Sequence, residues 1–183
     1  MRIFLIFILS LSYFFSYSQN KKENTCKVEF YLLKNIIPQS DTINNLGAFS
    51  ATPNDLEKNP FIKDYEIASY SRVSNSIKTD STNAITERFI FKVPDSVTKR
   101  VNSLNLPPCC GRQFALLING KICFTGYFWN RLFLFSYDSP SVIAYDSSID
   151  IIVNPISKYS STDNPVSLLD YLLTDCFNSR KKF

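Results

Sequence analysis

The chain has 183 residues, with 20 basic and 16 acidic side chains, a net charge of +4 and no histidine. Its basic residues are scattered (Lys34, Lys63, Arg88, Lys121, Arg131), and only Arg180-Lys181-Lys182 forms a run, so no stripe suited to neutralising phosphates is visible and nucleic acid is not an expected partner. The lack of histidine excludes Ser-His-Asp and Cys-His catalysis and the common zinc sites, and the four glycines (Gly47, Gly111, Gly120, Gly126) form no phosphate-cradling loop, so neither cofactor nor metal is expected.

In chain order, Met1-Arg2 followed by Ile3 to Leu9 and closed by Ser16-Tyr17-Ser18 has the form of a secretory signal peptide: a cationic start, a short apolar run and small residues before a cut after Ser18. The run is too short and too interrupted by serine to span a bilayer as a helix. Residues 1–18 are therefore expected to be removed, and the protein to be periplasmic, cell-surface or secreted, with no membrane span in the mature part. Residues 19–27 form an extension, 28–177 one domain, and 178–183 a solvated basic tail; the length suits one core.

Val28, Phe30 and Leu32 alternate with Glu29 and Tyr31, the two-residue period of a strand. A loop rich in Asn, Ser, Asp and Pro covers 35 to 58. Asn59-Pro60 reads as the start of a short helix from Phe61 to Tyr70. A polar stretch then leads to Ile85–Val93, where Ile85, Glu87, Phe89, Phe91 and Val93 share one face of a half-buried strand. Pro94 ends it, Asp95 is placed to cap a helix with Val97, Val101 and Leu104 at helical spacing, and Pro107-Pro108 stops that helix.

Asn119-Gly120 divides two apolar runs between Gly111 and Trp129 as a type I′ hairpin turn does. In that register Leu116 faces Cys123 and Leu117 faces Ile122; Tyr127 and Trp129 share a face with Cys123 and Thr125, while Phe124 and Phe128 share the other with Ile122. Extended pieces follow at Ser141–Tyr145 and Ile149–Val153. After Asp163-Asn164-Pro165, a final helix has Leu168, Leu169, Leu172, Leu173 and Cys176 along one side. The fold expected is α+β, a single domain with a mainly antiparallel sheet and two or three helices packed on it, ferredoxin-like in one arrangement.

Cys26, Cys109, Cys110, Cys123 and Cys176 all lie beyond the leader, and an exported chain meets an oxidising compartment where disulfides persist. Five thiols leave at least one unpaired in a monomer. Cys26 lacks the apolar lipobox of a lipidated cysteine. Adjacent Cys109-Cys110 permits a vicinal ring, two separate bridges, or one bridge and one free thiol. A bridge from one of this pair to another cysteine is expected, with Cys26 to Cys176 as a second.

Two other features bear on function. The aromatic concentration of Phe124, Tyr127, Phe128, Trp129, Phe133, Phe135 and Tyr137 fits either core packing or a contact surface, and Tyr127, Trp129 and Arg131 are its candidate ligand-binding residues. Among the carboxylates, Asp64 and Glu66 diverge on the expected helix, and Asp146, Asp150 and Asp163 have no partner that sequence names. No catalytic residue is assigned.

The strand VEFYLL (Val28 to Leu33), the helix pattern of Pro60, Ile62 and Ile67, the strand and turn from Phe114 to Lys121 and the leucines from Leu168 to Leu173 resemble the periplasmic head subdomain of the SecD and SecDF protein-export subunits. The pattern F-A-L-x-I-N-G followed by G-x-F-W, from Phe114 to Trp129, is also similar to that of small exported bacterial proteins without known activity. The resemblance implies a fold and an exported setting and carries over no catalytic residue. The expected function is a non-catalytic binding or scaffolding module of the cell envelope, using an exposed sheet face or edge on a protein or small ligand. The alternative is a thiol-active or hydrolytic enzyme using Cys109-Cys110 or a carboxylate pair.

Overall fold

The alternation of Val28, Phe30 and Leu32 does become a strand, β1 (Val28–Leu32), with those three side chains buried in the larger of two cores. The computed structural model describes residues 26–38, 48–79, 82–106, 111–129, 141–153 and 165–180, with 76–79, 82–85, 165 and 166 described by their backbone alone. The remaining strands are β2 (Ser69–Thr79), β3 (Thr82–Lys92), β4 (Arg112–Ile118), β5 (Lys121–Phe128), β6 (Ser141–Tyr145) and β7 (Ser148–Val153). The helices are α1 (Asp95–Asn102) and α2 (Pro165–Arg180).

The seven strands form one sheet in the order β1-β4-β5-β6-β7-β3-β2, antiparallel at every junction except the parallel pair β5 and β6. The fold is thus α+β with a mostly antiparallel sheet and, among the described residues, two α-helices. Alternation along the strands sends Phe30, Phe114, Phe128, Phe89, Phe91, Ile149 and Ile151 to one face, where Val97 and Val101 of α1 and Leu169, Leu173 and Phe177 of α2 meet them. Phe30 stands edge-on to Phe91 with ring centroids 5.3 Å apart, and the Phe114 and Phe128 rings are 5.0 Å apart. Such pairs add roughly 0.5–1.5 kcal/mol to what burial itself contributes.

On the opposite face a smaller core of Leu33, Ala48, Phe49, Leu56, Ala115 and Leu117 covers only the β1-β4-β5 end. Thr125 fixes its loop: the hydroxyl donates to Phe49 O at 2.6 Å, and Ala48 N–H donates to Thr125 O at 3.1 Å. Buried Gln113 is matched amide to amide with Ile37, accepting from its N–H and donating to its carbonyl, both at 2.7 Å.

Several expectations are corrected. No helix forms over 61–70: Ile62 bridges Phe30, Asp64–Glu66 is a single 3-10 turn and β2 begins at Ser69. The outer edge of β1 offers backbone partners to this segment, and Ile62 and Ile67 are buried from an extended path instead of a helical face. The polar stretch before Asn83 is largely the long strand β2. Pro94, and not Asp95, is the cap residue of α1.

The hairpin turn itself stands as expected, with φ of 52° at Asn119 and 75° at Gly120, both positive as type I′ requires. Leu117 faces Ile122, but Leu116 faces Phe124 because a bulge inserts Cys123. Cys123 therefore packs toward the larger core beside Phe124, Ile122 moves to the smaller one, and neither lies on the face assigned above. Leu168 is 52% exposed, so it leaves the apolar side of α2. The leader, Pro107-Pro108 and Asp163-Asn164 lie outside the described residues.

Of the disulfide candidates, Cys26 and Cys176 are bonded, tying the start of β1 to α2 across 150 residues, while Cys123 is free. Cys109 and Cys110 lie outside the described residues. Arg180, assigned above to a solvated tail, ends α2 and is docked: it donates to Cys26 O at 3.0 Å, pairs with Asp64 and lies over the Phe177 ring.

Candidate functional site

β2 lies at one end of the sheet, beside α2. Its side chains Tyr70, Arg72 and Ser74 share the face that α2 covers, and Ser71, Val73 and Asn75 point to the other and are exposed. Tyr70 packs against Phe89, Phe91 and Phe177 and donates its hydroxyl to Asp170 Oδ1 at 2.5 Å. Arg72 clamps two carboxylates. Its Nε and Nη2 donate to Glu87 at 2.9 and 2.8 Å, and Nη1 donates to Asp170 Oδ2 at 2.9 Å. Ser74 adds a bond of 2.6 Å to Glu87. Beside this network runs a groove of about 510 Å³ between β2 and α2, with Ala68, Ser69 and Ser71 on the strand side and Thr174, Phe177 and Asn178 on the helix side.

The network is ionised and closed. Arg72 hydrogen bonding holds the Glu87 carboxyl below its ordinary 4.5 against the opposing effect of burial, and Ser74 assists. Burial opposes ionisation of Asp170, but bonds from Tyr70 and Arg72 outweigh it and keep that carboxyl below 3.8. Burial, reinforced by Asp170, pushes the Tyr70 phenol far above its usual range. Two carboxylates do meet here, but with a guanidinium between them and both held as anions, so neither is a proton donor near neutral pH.

A pH profile follows. Because the folded carboxyls bind protons less readily than the unfolded ones, their stabilisation is fully present above the unfolded values of 4.5 and 3.8 and is lost as pH falls through the lower folded values. With no histidine to titrate, the melting temperature should be flat between about pH 5.5 and 8 and fall steadily below about 4.5. Glu87→Gln should flatten part of the acid slope in a calorimetric series. A slope centred near pH 6.5 would contradict the assignment.

Three of the carboxylates considered from sequence have cationic partners: Asp64 with Arg180, Glu66 with both Nη atoms of Arg100 at 3.1 and 2.8 Å, and Asp150 with Arg88. Burial raises the Cys123 thiol, which keeps it protonated. Among the described residues, no group of three or more Cys, Asp or Glu side chains is placed to hold a metal ion.

Of the residues that sequence singled out for ligand binding, Tyr127 packs edge-on against Phe49 at 5.6 Å and shares a 3.3 Å hydrogen bond with Gln113. The half-buried Trp129 ring lies against Gly111, and the Trp129 backbone N–H donates to Val142 O at 2.9 Å. Arg131 lies outside the described residues, so the three are not seen as one surface. Tyr70, Arg72, Glu87 and Asp170 were missed, because SYSRVSNS lacks apolar alternation. The available signal was the apolar strand Phe89–Val93, which needs a partner on each side.

The two ends of the sheet are treated differently. The outer edge of β1 is covered by the chain itself: Phe30 N–H donates to Ile62 O at 3.0 Å, Phe61 N–H donates to Phe30 O at 2.7 Å and Glu57 N–H donates to Leu32 O at 2.9 Å. The outer edge of β2, 11 residues long, has no strand beside it among the described residues. A long bare edge presents unpaired N–H and C=O groups and templates the addition of another strand.

Among the described residues, the α+β fold has one sheet edge closed by the chain itself, one edge with no strand beside it, and a groove alongside the latter. Comparison with protein-family models, curated proteins and solved structures finds no match. The Cys26–Cys176 bridge is compatible with an oxidising compartment, and no described helix is long and apolar enough to cross a membrane.

Proposed function

We propose that this chain is an exported, non-catalytic binding or scaffolding module of the bacterial cell envelope that engages a protein partner by strand addition along β2. The observation that carries this reading is the contrast, among the described residues, between the closed edge of β1 and the edge of β2 beside the groove, which has no strand next to it. Added strands gain affinity from main-chain hydrogen bonds and specificity from side chains entering an adjoining groove. The ionised, fully engaged network of Tyr70, Arg72, Glu87 and Asp170 supports it as well, since these groups make a rigid wall and offer no acid or base for turnover. Likeness to the SecD head belongs to this proposal as kinship of architecture and setting.

The test is site-specific photo-cross-linking in the native envelope. A photoreactive residue replacing Ser71 should give discrete protein adducts, and the same probe replacing exposed Lys58 should not. No adduct at position 71, or equal adducts at both, would refute strand addition at this edge.

A further inference from the structure

We infer that the strand added to β2 is β2 of a second copy of this chain, paired antiparallel about a two-fold axis through Val73. This rests on the reading of β2 as a strand-addition edge and names its occupant. Self-pairing requires a self-complementary edge, and the charges here permit one. Centred on Val73, the register places Val73 opposite its equivalent, Arg72 opposite Ser74, and Ser71 opposite Asn75. No like charges meet. A register centred one residue earlier would oppose the two Arg72 guanidinium groups, and one centred a residue later would set apolar Val73 against Asn75.

Exposed apolar surface points the same way. Among the described residues, the exposed large apolar side chains are Ile36, Tyr65, Val73, Leu168 and Tyr171, and three of these lie on β2 and α2, with Val73 39% exposed, Leu168 52% and Tyr171 67%. A two-fold axis perpendicular to the sheet keeps both copies of α2 on one face, so the helix crests flank the new strand pair while the Val73 pair forms on the opposite face. Arg72 brings no unpaired charge into the junction, because Glu87 and Asp170 of its own chain already engage it. The sheet would then run through both copies, with only the closed β1 edges at its ends.

Sedimentation equilibrium of the purified protein over a concentration series should show reversible dimerisation. Val73→Lys and Val73→Glu should each raise the dissociation constant at least tenfold with little change in melting temperature, since the side chain is exposed. An equimolar mixture of the two variants should dimerise again, because only this register places residue 73 opposite itself. A monomer at every concentration overturns the inference, and so does a dimer that neither variant weakens or that mixing fails to restore. A monomer that still gives heavier hetero-adducts from position 71 in the envelope overturns the second copy alone. A monomer without such adducts overturns the strand-addition reading with it.

Discussion

Replacing Cys26 and Cys176 together by alanine should lower the melting temperature by about 10 °C, the effect of losing roughly 2–5 kcal/mol in a domain of this size. The bridge closes a span of 150 residues, and loop-closure entropy grows with the length constrained. The loss should be greatest in α2, whose Leu169, Leu173 and Phe177 roof the larger core at the β2 end. Arg180 provides a second tie close by, to Cys26 O, Ile67 O and Asp64, so the helix should loosen before the sheet melts. Hydrogen exchange should show protection falling first in α2 and only slightly in β4. A double variant melting within 2 °C of the parent, with α2 equally protected, would show that the bridge constrains little.

Gly111→Ala should be severely damaging, costing about 3 kcal/mol or more and leaving little folded protein. Gly111 has φ of +59°, where an L side chain is strained, and an added Cβ would lie 2.6 Å from Phe128 O and 2.6 Å from Trp129 Cε3. The backbone oxygen cannot yield, because residue 128 is paired with Arg112 on one side and Val142 on the other. Gly120→Ala provides the control. It has φ of +75° and nothing within 4 Å of the added carbon, so it bears the backbone penalty alone, about 1 kcal/mol. Denaturant unfolding of both variants separates the two contributions. Equal losses would mean that contact with Phe128 and Trp129 is relieved at no expense.

The Gly111 contact also bears on Trp129. Sequence puts this tryptophan on the strand face of Tyr127, within an aromatic concentration read as core packing ahead of a contact surface, because alternation sorts side chains into two faces without saying which face is covered. In the fold its ring fills the space that the missing Cβ leaves. The β2 site shows the opposite failure. Ser69, Ser71, Ser74 and Asn75 give the strand a polar pattern that reads as loop, and only pairing along its full length with β3 makes it a strand. Its length depends on a neighbour, and β propensity expresses such context more than an intrinsic preference.

Local chemistry was enough for β1, the Asn119-Gly120 turn, α1, β6, β7 and the bulk of α2, since each rests on a period, a positive-φ requirement or a proline within its own few residues. It also excluded histidine chemistry outright, and it named Cys26–Cys176 as one of the candidate bridges. Tertiary structure decided what depends on distant partners. Phe30, Phe61 and Ile62 close the β1 edge with backbone hydrogen bonds, which overrides the local helix signal after Pro60. Cys123 bulges from β5, which reverses the faces of Ile122 and Cys123 that strict alternation assigned. Arg72 gathers Glu87 and Asp170 from 15 and 98 residues away, and β2 is left as the sheet's last strand. Such pairings are set by strand order and by the docking of α2, and these are properties of the whole chain that no local window of residues contains.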